Sequence, residues 1–192
     1  MDFLPEQEIN DLLNELGITQ HQEGESCVLL QMDDEHAASK HCFDNAECMP
    51  CGCDENTNCF EMPTETMITS LSGAIHKMHE GRTLMLPVGK WRSVFDAVAF
   101  SMAEDEPWQE FDASATIKLN TRDPLLFESG DEHTLIELVR ALMNDGDSIE
   151  QGVFIIPVGA PILIHLQPGG PVKFWFGNDV LADEIRESYA IS

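Results

Sequence analysis

Three apolar runs near the end of the chain constrain its fold more than any other feature. Val153–Val158, Ile162–Leu166 and Val172–Phe176 are rich in β-branched and aromatic side chains. Gly159-Ala160-Pro161 separates the first two, and Gln167-Pro168-Gly169-Gly170 separates the second from the third. Connections this short join antiparallel neighbours only, because a parallel pair needs a crossover of about a dozen residues or more. Arg82–Val88, Ala115–Leu119 and Leu125–Phe127 read as further strands, the last two flanking the turn Asn120-Thr121-Arg122-Asp123-Pro124. Between them run helical stripes at a 3.6-residue period. These are Ile68, Leu71, Ile75 and Met78 over 65–80; Trp91, Val94, Phe95, Val98 and Met102; Leu135, Leu138, Val139 and Leu142 after an Asp131 cap; and Leu181 and Ile185, with Ser188 or Tyr189, over 179–189. Strands in runs with helices between them predict an α+β fold, a mostly antiparallel sheet with packed helices, and not a doubly wound parallel sheet. The predicted core is Trp91, Phe95, Val98, Leu138, Leu142, Ile155, Ile164 and Trp175. One echo, Thr83–Gly89 against Val153–Gly159, is a shared way of ending a strand rather than a repeat, since a helix follows one copy and a strand the other.

The first third of the chain reads differently. Residues 1–62 carry 15 acidic residues and one basic, Lys40, whereas 63–192 carry 20 acidic and nine basic. All six cysteines lie before residue 63. This shift places a boundary at Met62-Pro63, between an acidic, cysteine-rich N-terminal region (1–62) and an α+β domain (63–192). Ile9, Leu12, Leu13 and Leu16 form one helical stripe that Gly17 ends, and Ser26–Leu30 is a short strand. Leu4–Asn14 resembles the short N-terminal peptide of flagellar motor switch proteins that docks on the chemotaxis response regulator. The likeness covers eleven residues and extends to no switch-protein domain. It implies a helix suited to a partner's groove; the alternative is that the stripe packs on its own domain.

From Asp33 to Asn58 there is almost no apolar periodicity, and ordering it costs about 1–2 kcal/mol per residue in backbone entropy. Some cross-link has to offset that. Cys42, Cys48, Cys51, Cys53 and Cys59 fall within 18 residues, with Pro50 and Gly52 allowing sharp turns. Cys48-x-x-Cys51 lets two thiolates converge on one soft ion, and Cys53 with Cys42, Cys59 or His41 would complete a tetrahedron at about 2.3 Å per sulfur. Zinc held this way can contribute about 10 kcal/mol or more, against about 2–4 for a disulfide. Disulfide pairing and free thiols are the competing readings, and Cys27 stands outside the cluster as an expected buried free thiol.

Other constellations are weaker. Asp54-x-Asn56-x-Asn58, with Glu65 at the twelfth position, has calcium-loop spacing, but the glycine position holds Cys59 and no helix precedes it. His76 and His79 lie three apart on a helix and could share an ion or extend the cysteine site; otherwise they are ordinary surface and edge histidines. His165 reads as a strand histidine hydrogen-bonded by its neighbours. No phosphate-binding glycine loop and no nucleophile elbow occur, so no catalytic residue is nominated.

The formal charge is −25, from 35 acidic and 10 basic residues. That balance excludes direct nucleic-acid binding through a basic footprint, and no run of 18 apolar residues spans a membrane. The expectation is a soluble, cytoplasmic, non-enzymatic protein that binds or regulates another protein, one of basic charge, and carries a structural metal, zinc, at Cys42, Cys48, Cys51, Cys53 and Cys59. The alternatives are a metal-handling protein or metalloenzyme using that cluster with His76 or His79, and a nucleic-acid mimic.

Overall fold

A strand buried on both faces needs a covering layer on each side, and the central strands of an eight-stranded sheet here share two different layers. The computed structural model describes residues 1–44, 53, 55–78 and 81–189, the side chains of Met78, Ser188 and Tyr189 aside. In chain order the elements are β1 (Asp2–Phe3), a 3-10 turn (Glu6–Ile9), α1 (Asn10–Glu15), β2 (Ile18–Glu23), β3 (Cys27–Met32), β4 (Ser39–Asp44) and β5 (Thr57–Glu61). Then come α2 (Thr64–Met78), β6 (Thr83–Pro87), α3 (Trp91–Val98), α4 (Glu106–Ala115), β7 (Leu125–Phe127), α5 (Glu132–Asp145), β8 (Val153–Pro157), β9 (Ile162–Leu166), β10 (Val172–Phe176) and α6 (Asp179–Tyr189). The main sheet has the order β1-β7-β6-β8-β9-β10-β4-β5, and β2 with β3 forms a separate hairpin. Every pairing in the main sheet is antiparallel except β4 with β5. The fold is therefore α+β on a mostly antiparallel sheet.

Alternation along each strand assigns its side chains to the two layers. Met85, Leu125, Phe127, Ile155, Ile164, Phe174 and Phe43 face the helices, where they meet the stripes of α2, α3 and α5. Leu84, Leu86, Leu126, Phe154, Ile156 and Leu163 face the other way, against Leu30 and Met32 of the hairpin and Ile9 and Leu13 beside it. Seven of the eight predicted core residues lie together on the helix side. Trp175 does not. It alternates with Phe174 and Phe176, which take the helix face, so its ring packs against the hairpin-side cluster instead.

The N-terminal stripe also has its partner within the chain. Ile9 and Leu13 are buried and Leu12 and Leu16 pack against the same cluster, so this helix is not offered to a partner's groove. Gly17 closes it at φ 63°, and a Cβ there would meet the His36 ring at 2.2 Å, so only glycine fits.

Two expectations need correction. The strand expected at Ala115–Leu119 is the end of α4 and a turn. Asp105 caps α4 by accepting from the Trp108 N–H at 2.8 Å, Pro107 sits in the first turn, and Trp108 and Ala115 are buried. The stretch from Asp33 to Asn58 is not devoid of core either: β4 lies inside the main sheet with His41, Cys42 and Phe43 buried. Main-chain pairing consequently runs across the composition shift at Met62-Pro63, with β1, β4 and β5 before it and the other five strands after it. The echoed segments turn out to be neighbours, since β6 and β8 pair antiparallel with Leu86 opposite Phe154.

Leu138 is fully buried at the centre of the helix layer. Leu138→Ala is expected to lower unfolding free energy by about 2–5 kcal/mol in denaturant titration; a loss below about 0.5 kcal/mol would place that stripe in solvent.

Candidate metal centre

The pairing of β4 with β5 generates the site. These two strands are parallel neighbours, and a parallel pair requires a crossover between them. Here that connection, residues 45–56, is the segment carrying Cys48, Cys51 and Cys53. The register sets Cys42 directly across from Cys59, so both thiols project from the same sheet face. Cys53 joins them, and the three sulfurs lie within 4.8 Å of one another. Thiolates bound at 2.3 Å to a tetrahedral ion stand about 3.8 Å apart, so this group can hold a metal ion. Burial grades across the cluster, from Cys42 (buried) through Cys53 (half-buried) to Cys59 (exposed). Cys48 and Cys51 lie outside the described residues. Cys27 is a buried free thiol in β3 and not a member of the group.

The histidines are placed elsewhere. His41 precedes Cys42 in a strand, so its ring projects to the opposite face, among Phe43, Phe60 and Phe176 at centroid distances of 5.1–6.4 Å. Its Nε2 is 3.0 Å from Ser39 Oγ, and burial holds the imidazole below its ordinary pKa. His41 is thus no ligand to this cluster. His76 is on α2, across the sheet from Cys42, and pairs with Glu132 of α5. His79 lies outside the described residues. The calcium-loop spacing is interrupted by β5, which takes Asn58 into the sheet; Asp54 lies outside the described residues.

One feature of the surroundings escaped the sequence reading. Across the sheet the register aligns Cys59, Cys42, Lys173, His165 and Phe154 in one row on the hairpin face. Lys40 shares that face two residues before Cys42, and its Nζ is 2.7 Å from Asp34. Lys40, Lys173, Trp175, Gln31, Thr57 and Cys53 border a cleft of about 230 Å³. In a chain this acidic, Cys42 thus has one cation, Lys173, beside it in the row, and a second, Lys40, on the same face paired with Asp34. Alternation within Lys40-His41-Cys42 and Lys173-Phe174-Trp175 carries this information, but only once the pairing partners are known.

His165 differs from the expectation of neighbouring hydrogen bonds. Its ring stacks on Phe154 at 4.4 Å, and Nε2 has no hydrogen-bond partner among the described residues. Burial, with Lys173 adding repulsion, lowers its pKa to about 4.

Compared with protein-family models, curated proteins and solved structures, the chain matches none. No helix among the described residues is long and apolar enough to cross a membrane.

The His165 shift has a definite sign. An unfolded histidine takes up its proton near pH 6.5, and the folded one only near pH 4. Between those values the unfolded state binds more protons, so stability is complete above pH 6.5 and falls as pH drops through 4. The loss is on the order of 3 kcal/mol. Unfolding titrations at a series of pH values should show a steeper loss of stability between pH 6.5 and 4 in the native chain than in His165→Leu, where only other groups such as the buried His41 still contribute. Parallel profiles for the two proteins would refute the assignment.

Proposed function

We propose that the chain is a non-enzymatic, acidic protein-binding or regulatory protein whose cysteine cluster holds a structural zinc ion. The observation that supports the metal is the meeting of Cys42, Cys53 and Cys59 from two parallel strands and the crossover between them. All-sulfur donors select a soft ion, zinc or an iron–sulfur cluster, over calcium or magnesium. Cys48 and Cys51, nearest in sequence, are the proposed source of the fourth ligand that a closed structural site requires. Such an ion would tie the crossover to the edge of the sheet, where β5 has no further neighbour among the described residues.

Elemental analysis of the full chain, purified without chelator, is expected to find about one zinc ion per chain. Cys42→Ser and Cys59→Ser should each remove most of it. Because β4 is itself paired to β10, chelation should expose residues around 45–61 to protease while β8, β9 and β10 stay protected. Folded, thiol-reactive protein with no bound metal would refute the reading. A metalloenzyme is distinguished by an ion that keeps a water-accessible position, which exchange with cobalt and its visible spectrum would report.

The charge of −25 supports a partner of basic surface. Its association rate should fall steeply as salt rises through the physiological range, where the Debye length is about 8–10 Å. A rate insensitive to salt would leave the acidity as a matter of solubility.

A further inference from the structure

The three sulfurs that meet at the sheet edge are held very differently. Cys42 is fully buried in β4, a strand paired on one side to β10 and on the other to β5. Cys59 is exposed on β5, the outermost strand of the sheet order. Cys53 is half-buried and belongs to neither strand, since it lies in the crossover that joins them. On the reading of this cluster as a zinc site, we propose that it is a peroxide-sensitive switch. A hydroperoxide oxidises Cys59, Cys53 closes a disulfide on it, and the zinc ion leaves.

Access and geometry select this pair among the described thiols. Cys59 meets solvent directly. Cys53 borders the cleft of about 230 Å³ beside Lys40, Lys173 and Trp175, which is several times the roughly 30 Å³ share of one water molecule. A molecule the size of peroxide therefore approaches from either side, whereas Cys42 is enclosed. No disulfide joins any two of the three, and their sulfurs lie within 4.8 Å of one another. A disulfide brings sulfurs to about 2.05 Å, a closure within reach of two turning side chains and a small shift of the crossover. Cys42 has less room to turn, and displacing β4 would disturb its pairing with β10, whose Phe174 is locked into the helix-side core.

The chemistry balances with the hydroperoxide as the sole oxidant. Zinc undergoes no redox change, so the electrons come from sulfur. A thiolate is both the metal ligand and the nucleophile. The Cys59 sulfur attacks one peroxide oxygen, the O–O bond breaks, and hydroxide leaves, giving a sulfenic acid. The Cys53 thiolate then attacks that sulfur, forming the S–S bond and expelling a second hydroxide; both hydroxides take protons from water. Each sulfur has lost one electron and each peroxide oxygen has gained one. Disulfide sulfurs are no longer thiolates, so a four-ligand site loses two ligands and the ion dissociates.

The test uses the full chain as purified, its zinc content measured first, with hydrogen peroxide as oxidant and a chromogenic zinc indicator as readout. About one equivalent of peroxide is expected to release the zinc with loss of about two thiols per ion. The indicator without peroxide should draw at least about tenfold less zinc in the same interval. Peptide mapping should find Cys53 bridged to Cys59. Dithiothreitol followed by zinc should restore the loaded protein, which separates a disulfide from methionine sulfoxide and from the higher cysteine acids. Cys27→Ser, in the separate buried thiol of β3, is expected to leave the release rate within about twofold. Release that the reductant does not reverse, a bridge that includes Cys42 or joins Cys48 to Cys51, or markedly slower release in Cys27→Ser would each overturn the proposal. Zinc that is present but stays bound through peroxide treatment refutes the switch and leaves the metal reading standing. A folded chain that carries no zinc refutes the metal reading itself, and the switch with it.

Discussion

β10 sits between β9 and β4, and its register fixes what both layers of the molecule contain. Phe174 pairs with Ile164 on one side and His41 on the other, while Lys173 pairs with His165 and Cys42. Because side chains alternate with a period of two, a slip of one residue would send Phe174 and Phe176 to the hairpin and put Lys173 and Trp175 under the helices. The helix layer would then bury an ammonium group without a partner, which costs several kcal/mol. Register is thus enforced by the helix core, and the thiol row on the other face inherits its geometry from that enforcement. Cys42 meets Lys173 because Phe174 must meet the helices.

The same logic explains which parts of the fold were legible in the sequence. Helices α2, α3, α5 and α6 and strands β6 to β10 announce themselves because each buries a broad stripe or an uninterrupted apolar run. β2 carries no such signal. Only Ile18 of its six residues is buried, so its strand character comes from pairing with β3 and not from its own pattern. β4 was obscured by chemistry: of its buried positions His41, Cys42 and Phe43, the first is polar and the second reads as a ligand of the cysteine cluster rather than as core. α4 was recoverable, since Asp105, Pro107 and the Trp108–Phe111–Ala115 spacing form a cap and a stripe. Its acidic outer face diluted the periodicity.

For the site, the sequence revealed the ligand type and its neighbourhood but not the assembly. Density of cysteines singled out Cys42, Cys53 and Cys59, and the structure brings these three together. Nothing in the spacing says that Cys42 and Cys59 belong to adjacent parallel strands, because that depends on β4, already paired to β10, taking β5 on its other side. Nor does spacing exclude His41. Only its position one residue from Cys42 in a strand does so, by turning its ring to the opposite face.

The two layers differ in width, and the distribution of chemistry follows. The helix face is covered by several helices, which bury Phe43, Phe174 and Phe176 as a continuous core. The other face is covered by a hairpin of two strands with the short α1 beside it, a layer too narrow for eight strands. At one margin β3 contributes Gln31 to the cleft holding Cys53, Lys40 and Lys173; at the other it contributes Val28 and Leu30 to the cleft holding Lys90 and Arg122. Four of the ten basic residues therefore line the edges of this thin layer. Sheet residues left uncovered at such margins must be polar, small or paired with a ligand, because an apolar side chain there would gain nothing from burial. A sheet with one thick and one thin cover can thus take its stability from the first and carry polar and cationic side chains at the margins of the second.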